Sequence, residues 1–175
     1  MSTFFLFLYA LLITQRLLEL RVAKRNSNWM ESRGGTEVGQ GHYKYIVLIH
    51  VGFLASLFGE VALAPTAGLP VWWALPFGLF LAAQVLRYWC IQSLGRFWNT
   101  RIYTIPNEPL VKKGPYRWLK HPNYLIVMTE MISFPLIFGA YTTALVWSGI
   151  NLLFLKFVRI PIEEQALQIR AENQD

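Results

Sequence analysis

Two short stretches in the C-terminal half concentrate the side chains able to do chemistry. From Glu108 the chain reads E-P-L-V-K-K-G-P-Y-R-W-L-K-H-P-N-Y. Gly114-Pro115 and His121-Pro122 are turn formers around a short aromatic, basic segment, so the backbone bends twice before an apolar run opens at Leu125. Bent backbone exposes N–H and C=O groups and suits the gripping of an amino-acid-like or nucleoside ligand. Periodicity alone equally allows an interfacial re-entry with Tyr116, Trp118 and Tyr124 as belt residues. The second stretch, R-I-P-I-E-E-Q-A-L, sets Arg159 four residues before Glu163 and five before Glu164. On a helix that spacing puts Arg159 and Glu163 on one face as an ion pair, with Pro161 making the first turn irregular.

A second group of polar residues interrupts the apolar runs. Glu130 falls about seven residues into its run, hence roughly 10 Å deep at 1.5 Å per residue, and Asn151 reaches the same depth from the other direction. Arg87 and His50 lie about a turn inside the ends of two further runs. Unpaired in lipid, each of the four would cost several kcal/mol, so they are expected to meet inside a bundle. Two readings stand together: an interhelical ion pair of Glu130 with Arg87, with Asn151 as hydrogen-bonding glue, and the polar end of a lipid-facing pocket. Glu60 is expected at the far interface.

The elements that must position these groups are membrane helices. Hydrophobic residues make up 54% of the 175-residue chain and charged residues 15%, against roughly 45–50% and 25% in soluble domains. That balance excludes a disordered or fibrous chain. Apolar runs cover Thr3 to Leu18, Tyr45 to Leu63, Val71 to about Ile91 and Tyr124 to Phe157. The last holds about 34 residues and suits two short helices joined at Phe138-Gly139-Ala140, which makes about five spans. The first reads as a retained anchor, with no preceding Lys or Arg and no cleavage site. The 16 Lys and Arg exceed the 10 Asp and Glu and lie between alternate runs: Arg16 to Lys44, Arg96 to Lys120, and Lys156 onward through Arg170. Cationic loops stay cytoplasmic, so the N-terminus is expected outside and the C-terminus inside, with membrane lipids rather than nucleic acid as the anionic partner. Trp72, Trp73, Trp98 and Trp118 fall near predicted helix ends as interfacial anchors. The two cationic loops, about 28 and 31 residues, are too long for simple connectors. Whether Asn26 to Gly41 forms an ordered lid or a flexible loop is open. Cys90 is a single cysteine, and His42, His50 and His121 are too scattered for metal-ligand spacing, so no metal is expected.

The two chemical stretches together resemble the isoprenylcysteine carboxyl methyltransferase family of integral membrane enzymes. Its pattern, L-V-x-x-G-x-Y-x-x-x-R-H-P-x-Y before a helical hairpin and R-x-x-x-E-E after it, is met by Leu110, Val111, Gly114, Tyr116, His121, Pro122 and Tyr124, then by Arg159, Glu163 and Glu164. Lys120 stands where the family usually has Arg, and Ile126 where many members have Gly. The resemblance covers the C-terminal part, and residues 1–100 carry no family motif. With the apolar runs, the expectation is an all-α membrane protein forming one unit over 1–175: a three-helix part, 1–91, then, as the resemblance implies, the cofactor loop, hairpin and acidic helix of 92–175. The resemblance implies S-adenosylmethionine as cofactor, enfolded by Glu108, Pro109, Leu110, Val111, Tyr116, His121, Pro122, Asn123, Tyr124 and Glu163. Arg159 would face the methyl acceptor, with Arg87 and Asn151 lining its path.

Methyl transfer to oxygen is an in-line displacement that destroys positive charge, so alignment and desolvation matter more than a metal. An ionised acceptor needs only a cation such as Arg159, whereas a neutral one needs a proton acceptor among Glu163, Glu164 and Glu130. A compact chain without the additional helices of the eukaryotic enzymes resembles bacterial members that act on lipidic hydroxyls such as alkylpyrones. Two other functions compete with this reading. A membrane reductase of sterol-reductase type would use NADPH and need basic phosphate-binding residues, and a small transporter would use Glu130 and Arg87 as a coupling pair.

Overall fold

The computed structural model describes residues 2–64, 68–106 and 108–172. It is mostly helical: α1 (Thr3–Ser32), α2 (Tyr43–Leu63), α3 (Ala74–Leu94), α4 (Pro122–Ile137), α5 (Tyr141–Phe154) and α6 (Ile160–Glu172), with two three-residue strands, β1 (Thr36–Val38) and β2 (Ile102–Thr104). Among the described residues, four helical stretches are long and apolar enough to cross a membrane: Thr3–Ser32, Gln40–Leu63, Ala74–Phe97 and Tyr141–Gln168. The fifth apolar helix, α4, has 16 residues. At 1.5 Å per residue it reaches about 24 Å, short of the roughly 30 Å hydrocarbon core. It sits between α3 and α5 and is largely buried, at Ile126, Glu130, Met131, Phe134, Pro135 and Ile137. The α4–α5 hairpin turns at Phe138-Gly139-Ala140, as the sequence suggests, with Gly139 at φ +72°.

The first helix departs from expectation. Its N-terminus is capped by Ser2, whose Oγ accepts from Phe5 N at 3.2 Å. Instead of ending near Leu18 it runs on to Ser32. Beyond Leu18 the buried positions Glu19, Ala23, Asn26, Ser27 and Met30 follow a helical period, while Arg21, Lys24 and Arg25 point outward. Charges assigned to a loop therefore belong to the wet face of a helix about 45 Å long. The remaining residues of the supposed loop form β1, which pairs antiparallel with β2 in the register Thr36↔Thr104, Glu37↔Tyr103 and Val38↔Ile102. This pairing ties the two long connections together, and with it the 1–91 and 92–175 parts. Three-residue strands carry too little alternation to be read from sequence.

The apolar core joins Phe5, Leu8 and Leu12 of α1 to Ile49, Phe53 and Leu57 of α2 and to Phe80, Met131, Phe134 and Ile137 of α3 and α4. Close approach of α2 and α5 depends on Gly52, where an added Cβ would stand 2.1 Å from the Trp147 ring. At the end remote from the strands, Glu60 caps α5 by accepting from Thr142 N at 3.0 Å and Thr143 N at 2.7 Å. Trp98, expected as an interfacial anchor, is instead 3% exposed in the core, whereas Trp118 is exposed.

Candidate active site

Both chemical stretches meet at the end of the bundle that carries β1 and β2. A π turn over Leu155–Arg159 precedes α6 and delivers Arg159 to the interior, 6% exposed. Its guanidinium is divided among three elements. Nε donates to the Tyr124 hydroxyl at 3.2 Å, Nη2 to the Thr100 carbonyl at 3.0 Å, and Nη1 to His42 Nε2 at 2.5 Å. No ion pair links Arg159 to a carboxylate among the described residues. The expected face-sharing pair with Glu163 is absent because the wide π turn and Pro161 break the i,i+4 register just there. The two are connected through Tyr124 instead, whose hydroxyl donates to Glu163 Oε2.

Around this link the turn before α4 is tightly organised. The His121 ring stacks on Tyr124, centroids 5.2 Å apart, with its nitrogens 3.6 Å from Glu163 Oε1 and 3.5 Å from Glu164 Oε1. Both nitrogens are buried and make no hydrogen bond. Glu163 foremost, with Glu164 behind it, raises the His121 pKa above the ordinary imidazole value, against the lowering effects of burial and of Lys120. Lys120 donates to Glu164 Oε1 at 2.6 Å. Asn123 Nδ2 donates to the Tyr116 hydroxyl at 2.8 Å, and burial pushes the Tyr116 phenol up. Tyr116 belongs to a tight turn seated on α3. There Gly114 has φ +54°, and a Cβ would lie 2.0 Å from Ser93 Oγ, so both conformation and space require glycine. Ile126, the bulkier departure from the family pattern, is buried against Ala83 and Cys90 and fills the α3–α4 seam.

Pro122 is the first residue of α4 and is buried. Glu108 faces Arg33 at the end of α1, 3.9 Å away, and Pro109, Leu110 and Val111 follow it in the extended chain leading to the Gly114 turn. Within the bundle, Glu130 is paired with Arg87 as expected, but the cluster is larger. Glu130 Oε1 accepts from Arg87 Nε (3.0 Å) and Gln84 (2.6 Å), and Oε2 accepts from Arg87 Nη2 and from Arg16 (2.6 Å). Arg16 also pairs with Glu19 at 2.6 Å, and Gln15 bridges Glu19 and Gln84. Two guanidiniums thus balance two carboxylates. A cavity of about 330 Å³ opens beside them between α1 and α3, lined in part by Gln15, Leu18, Glu19, Gln84 and Arg87. Asn151 does not join this network. It is buried and its amide nitrogen meets Met128 Sδ at 3.2 Å. His50 Nδ1 donates within α2, to the Ile46 carbonyl 2.8 Å away.

Sequence reading missed the inward placement of Gln15, Arg16, Glu19 and Gln84, although extending the helical period of α1 past Leu18 would have turned Glu19 inward. It also missed His42 and Thr100, which reach Arg159 only because β1 pairs with β2.

The chain is similar to two curated bacterial proteins. It is 42% identical to the uncharacterized protein YpbQ of Bacillus subtilis (strain 168), covering 94% of this chain and 96% of that one. It is 26% identical to an uncharacterized protein of Haemophilus influenzae, covering 91% and 92%. No solved structure matches. A sequence model of the isoprenylcysteine carboxyl methyltransferase family matches residues 74–169, which hold α3 to α5, most of α6 and every residue of the His121–Tyr124–Arg159–Glu163 cluster. With more than half of its length so matched, the chain belongs to the isoprenylcysteine carboxyl methyltransferase family.

Proposed function

We propose that the protein is an S-adenosylmethionine-dependent O-methyltransferase whose acceptor is a lipophilic molecule held at the inner leaflet, a lipidic hydroxyl such as an alkylpyrone or a prenylcysteine-like carboxylate. The observation that carries this reading is the linkage of the two family motifs through Tyr124, which joins Arg159 to Glu163 beside His121. The cationic end bearing that cluster faces the cytoplasm, the N-terminus lies outside, and α4 completes five spans. The membrane is the bacterial cytoplasmic membrane.

The residues present fit the cofactor. Both His121 nitrogens are buried without a hydrogen bond, next to two carboxylates, a donor and acceptor set suited to the charged amino-acid end of S-adenosylmethionine. His121, Asn123, Tyr124 and Glu163 hold that end, and the segment from Glu108 to Val111 with Tyr116 encloses the rest. When bound, S-adenosylmethionine supplies an electrophilic methyl group on a sulfonium. Arg159 is a buried cation with neutral partners only, so an anionic oxygen is the partner that completes it, and the guanidinium aligns that oxygen by charge-assisted hydrogen bonds. A neutral hydroxyl instead passes its proton to Glu163, where Oε1 is the basic atom because Oε2 already accepts from Tyr124. Glu130, with four N–H donors on its two oxygens, is saturated and acts as a structural lock.

The test is calorimetric binding of S-adenosylhomocysteine to detergent-purified protein, with NADPH as control. Binding that His121→Ala weakens is expected. NADPH binding in its place would transfer the protein to reductase chemistry.

A further inference from the structure

Arg159 is unusual in what holds it. The guanidiniums of half-buried Arg16 and buried Arg87 are fixed by carboxylates, while Arg159 is fixed by a carbonyl, a phenol and an imidazole. Of these three the imidazole makes the shortest contact and comes from the most distant part of the sequence. His42 ends the single turn Gln40–His42 ahead of α2, outside the region matched by the family, and is itself buried. Because an arginine N–H can only donate, Nε2 of His42 must carry its lone pair, which puts the ring proton on Nδ1 and makes the ring neutral. Nδ1 is buried, with the Gly39 backbone behind it and no side-chain partner.

The ring is positioned from behind. Gly39 stands at φ +68°, and a Cβ there would meet Ile162 of α6 at 2.6 Å and His42 Nδ1 at 2.9 Å. The strand pair fixes the same loop from the other side. Glu37 of β1 accepts from Arg101 Nη1 at 2.8 Å, and the Arg101 guanidinium lies 4.1 Å over the Tyr43 ring. The charged groups facing His42 are therefore Arg159 at hydrogen-bond distance and Glu37, whose carboxylate is committed to Arg101; Phe154 offers only its ring, 6.5 Å away.

We propose that His42 is a positioning residue for Arg159: its neutral imidazole clamps the guanidinium in the orientation that receives the acceptor oxygen, and its protonation releases it. A proton on Nε2 would confront an arginine N–H across 2.5 Å with two donors and two like charges, a contact that cannot persist. The clamp then opens and the acceptor loses its aligned cation, while His121, Asn123 and Glu163, which make no hydrogen bond to Arg159, keep their places. This inference rests on the methyltransferase reading, so its test separates the two.

The enzyme, purified in detergent and labelled with 15N-histidine, is examined by NMR and by methyl transfer from radiolabelled S-adenosylmethionine to an alkyl hydroxypyrone and to an S-farnesylcysteine. Only three histidines contribute signals, and His42→Gln and His121→Gln assign them. The expected spectrum gives His42 a protonated Nδ1 and a bare Nε2 near neutral pH. In His42→Ala the KM for the acceptor rises about tenfold or more, the scale of one hydrogen bond to a charged group, while S-adenosylhomocysteine affinity holds within about twofold. His42→Gln, whose amide oxygen can still accept from Arg159, restores KM to within about threefold and removes the loss of activity on acidification that belongs to His42. An Nε2-protonated neutral ring, an unchanged acceptor KM in His42→Ala, or an acidic limb persisting unaltered in His42→Gln would overturn the proposal. If the wild type binds no S-adenosylhomocysteine, the methyltransferase reading fails, and with it the positioning role, while the tautomer still reports whether the clamp exists.

Discussion

Glu130 offers the sharpest separation of structural from chemical roles. Replacing it by Gln changes shape little but removes a charge and one acceptor atom. Whichever oxygen becomes the amide nitrogen, two donors lose their acceptor: Gln84 with Arg87 Nε, or Arg16 with Arg87 Nη2. A hydrogen bond to a charged group is worth roughly 1.5–3 kcal/mol. Two guanidiniums would also face a single remaining carboxylate, Glu19. The loss expected is about 3–5 kcal/mol, the range for a buried ion pair missing one partner. Unfolding in mixed micelles, monitored by tryptophan fluorescence, measures it. The double variant Glu130→Gln, Arg16→Gln restores the balance of one cation and one anion and is expected to recover about half of that loss. S-adenosylhomocysteine binding should survive in both variants under conditions where they remain folded. A Glu130→Gln protein less than about 1 kcal/mol below wild type, yet devoid of methyl transfer, would refute this reasoning and move Glu130 into the chemistry.

Arg159→Ala with Glu163→Ala is expected to abolish methyl transfer while leaving a folded bundle, and wild-type turnover by that double variant would remove the basis of the proposed function. Because the His121 pKa is raised, its contribution to stability is complete below the ordinary imidazole value of about 6.5 and is lost as pH rises through the raised one. The stability gap between wild type and His121→Gln, read from thermal melts across that range, should therefore shrink with increasing pH. Gly114→Ala must strain the backbone at positive φ and displace Ser93, for a cost of about 1–3 kcal/mol and weakened cofactor binding. Gly52→Ala, meeting Trp147 at 2.1 Å, should separate α2 from α5 and lower the melting temperature without changing cofactor affinity per folded molecule.

Apolar runs made the membrane helices legible because lipid solvation is read over long windows and tolerates error in individual residues. The turn residues Gly139, Gly114 and Pro122 stand where local backbone chemistry puts them. What escaped depended on pairing across the chain. The second half of α1 hid its helical period beneath a charged face, and β1 and β2 are strands only in each other's company. The same reason separates Tyr124 and Glu163, which a local pattern points to, from His42 and Thr100, which it does not. Arg159 and Glu163 were found by type, yet their relation was misjudged because a π turn has no simple sequence signature.

The three acceptors around Arg159 come from residues 117, 59 and 35 positions earlier in the chain. A nascent polypeptide therefore exposes His42, Thr100 and Tyr124 to the membrane interface long before the guanidinium that gathers them is made. A chain stopped before Arg159 can already pack α1, α3 and α4 around Glu130, but it lacks the cation that gathers His42, Thr100 and Tyr124. Synthesis to the last helix is thus the event that joins the earlier segments at this site, and a chain terminated before it lacks the guanidinium on which they converge.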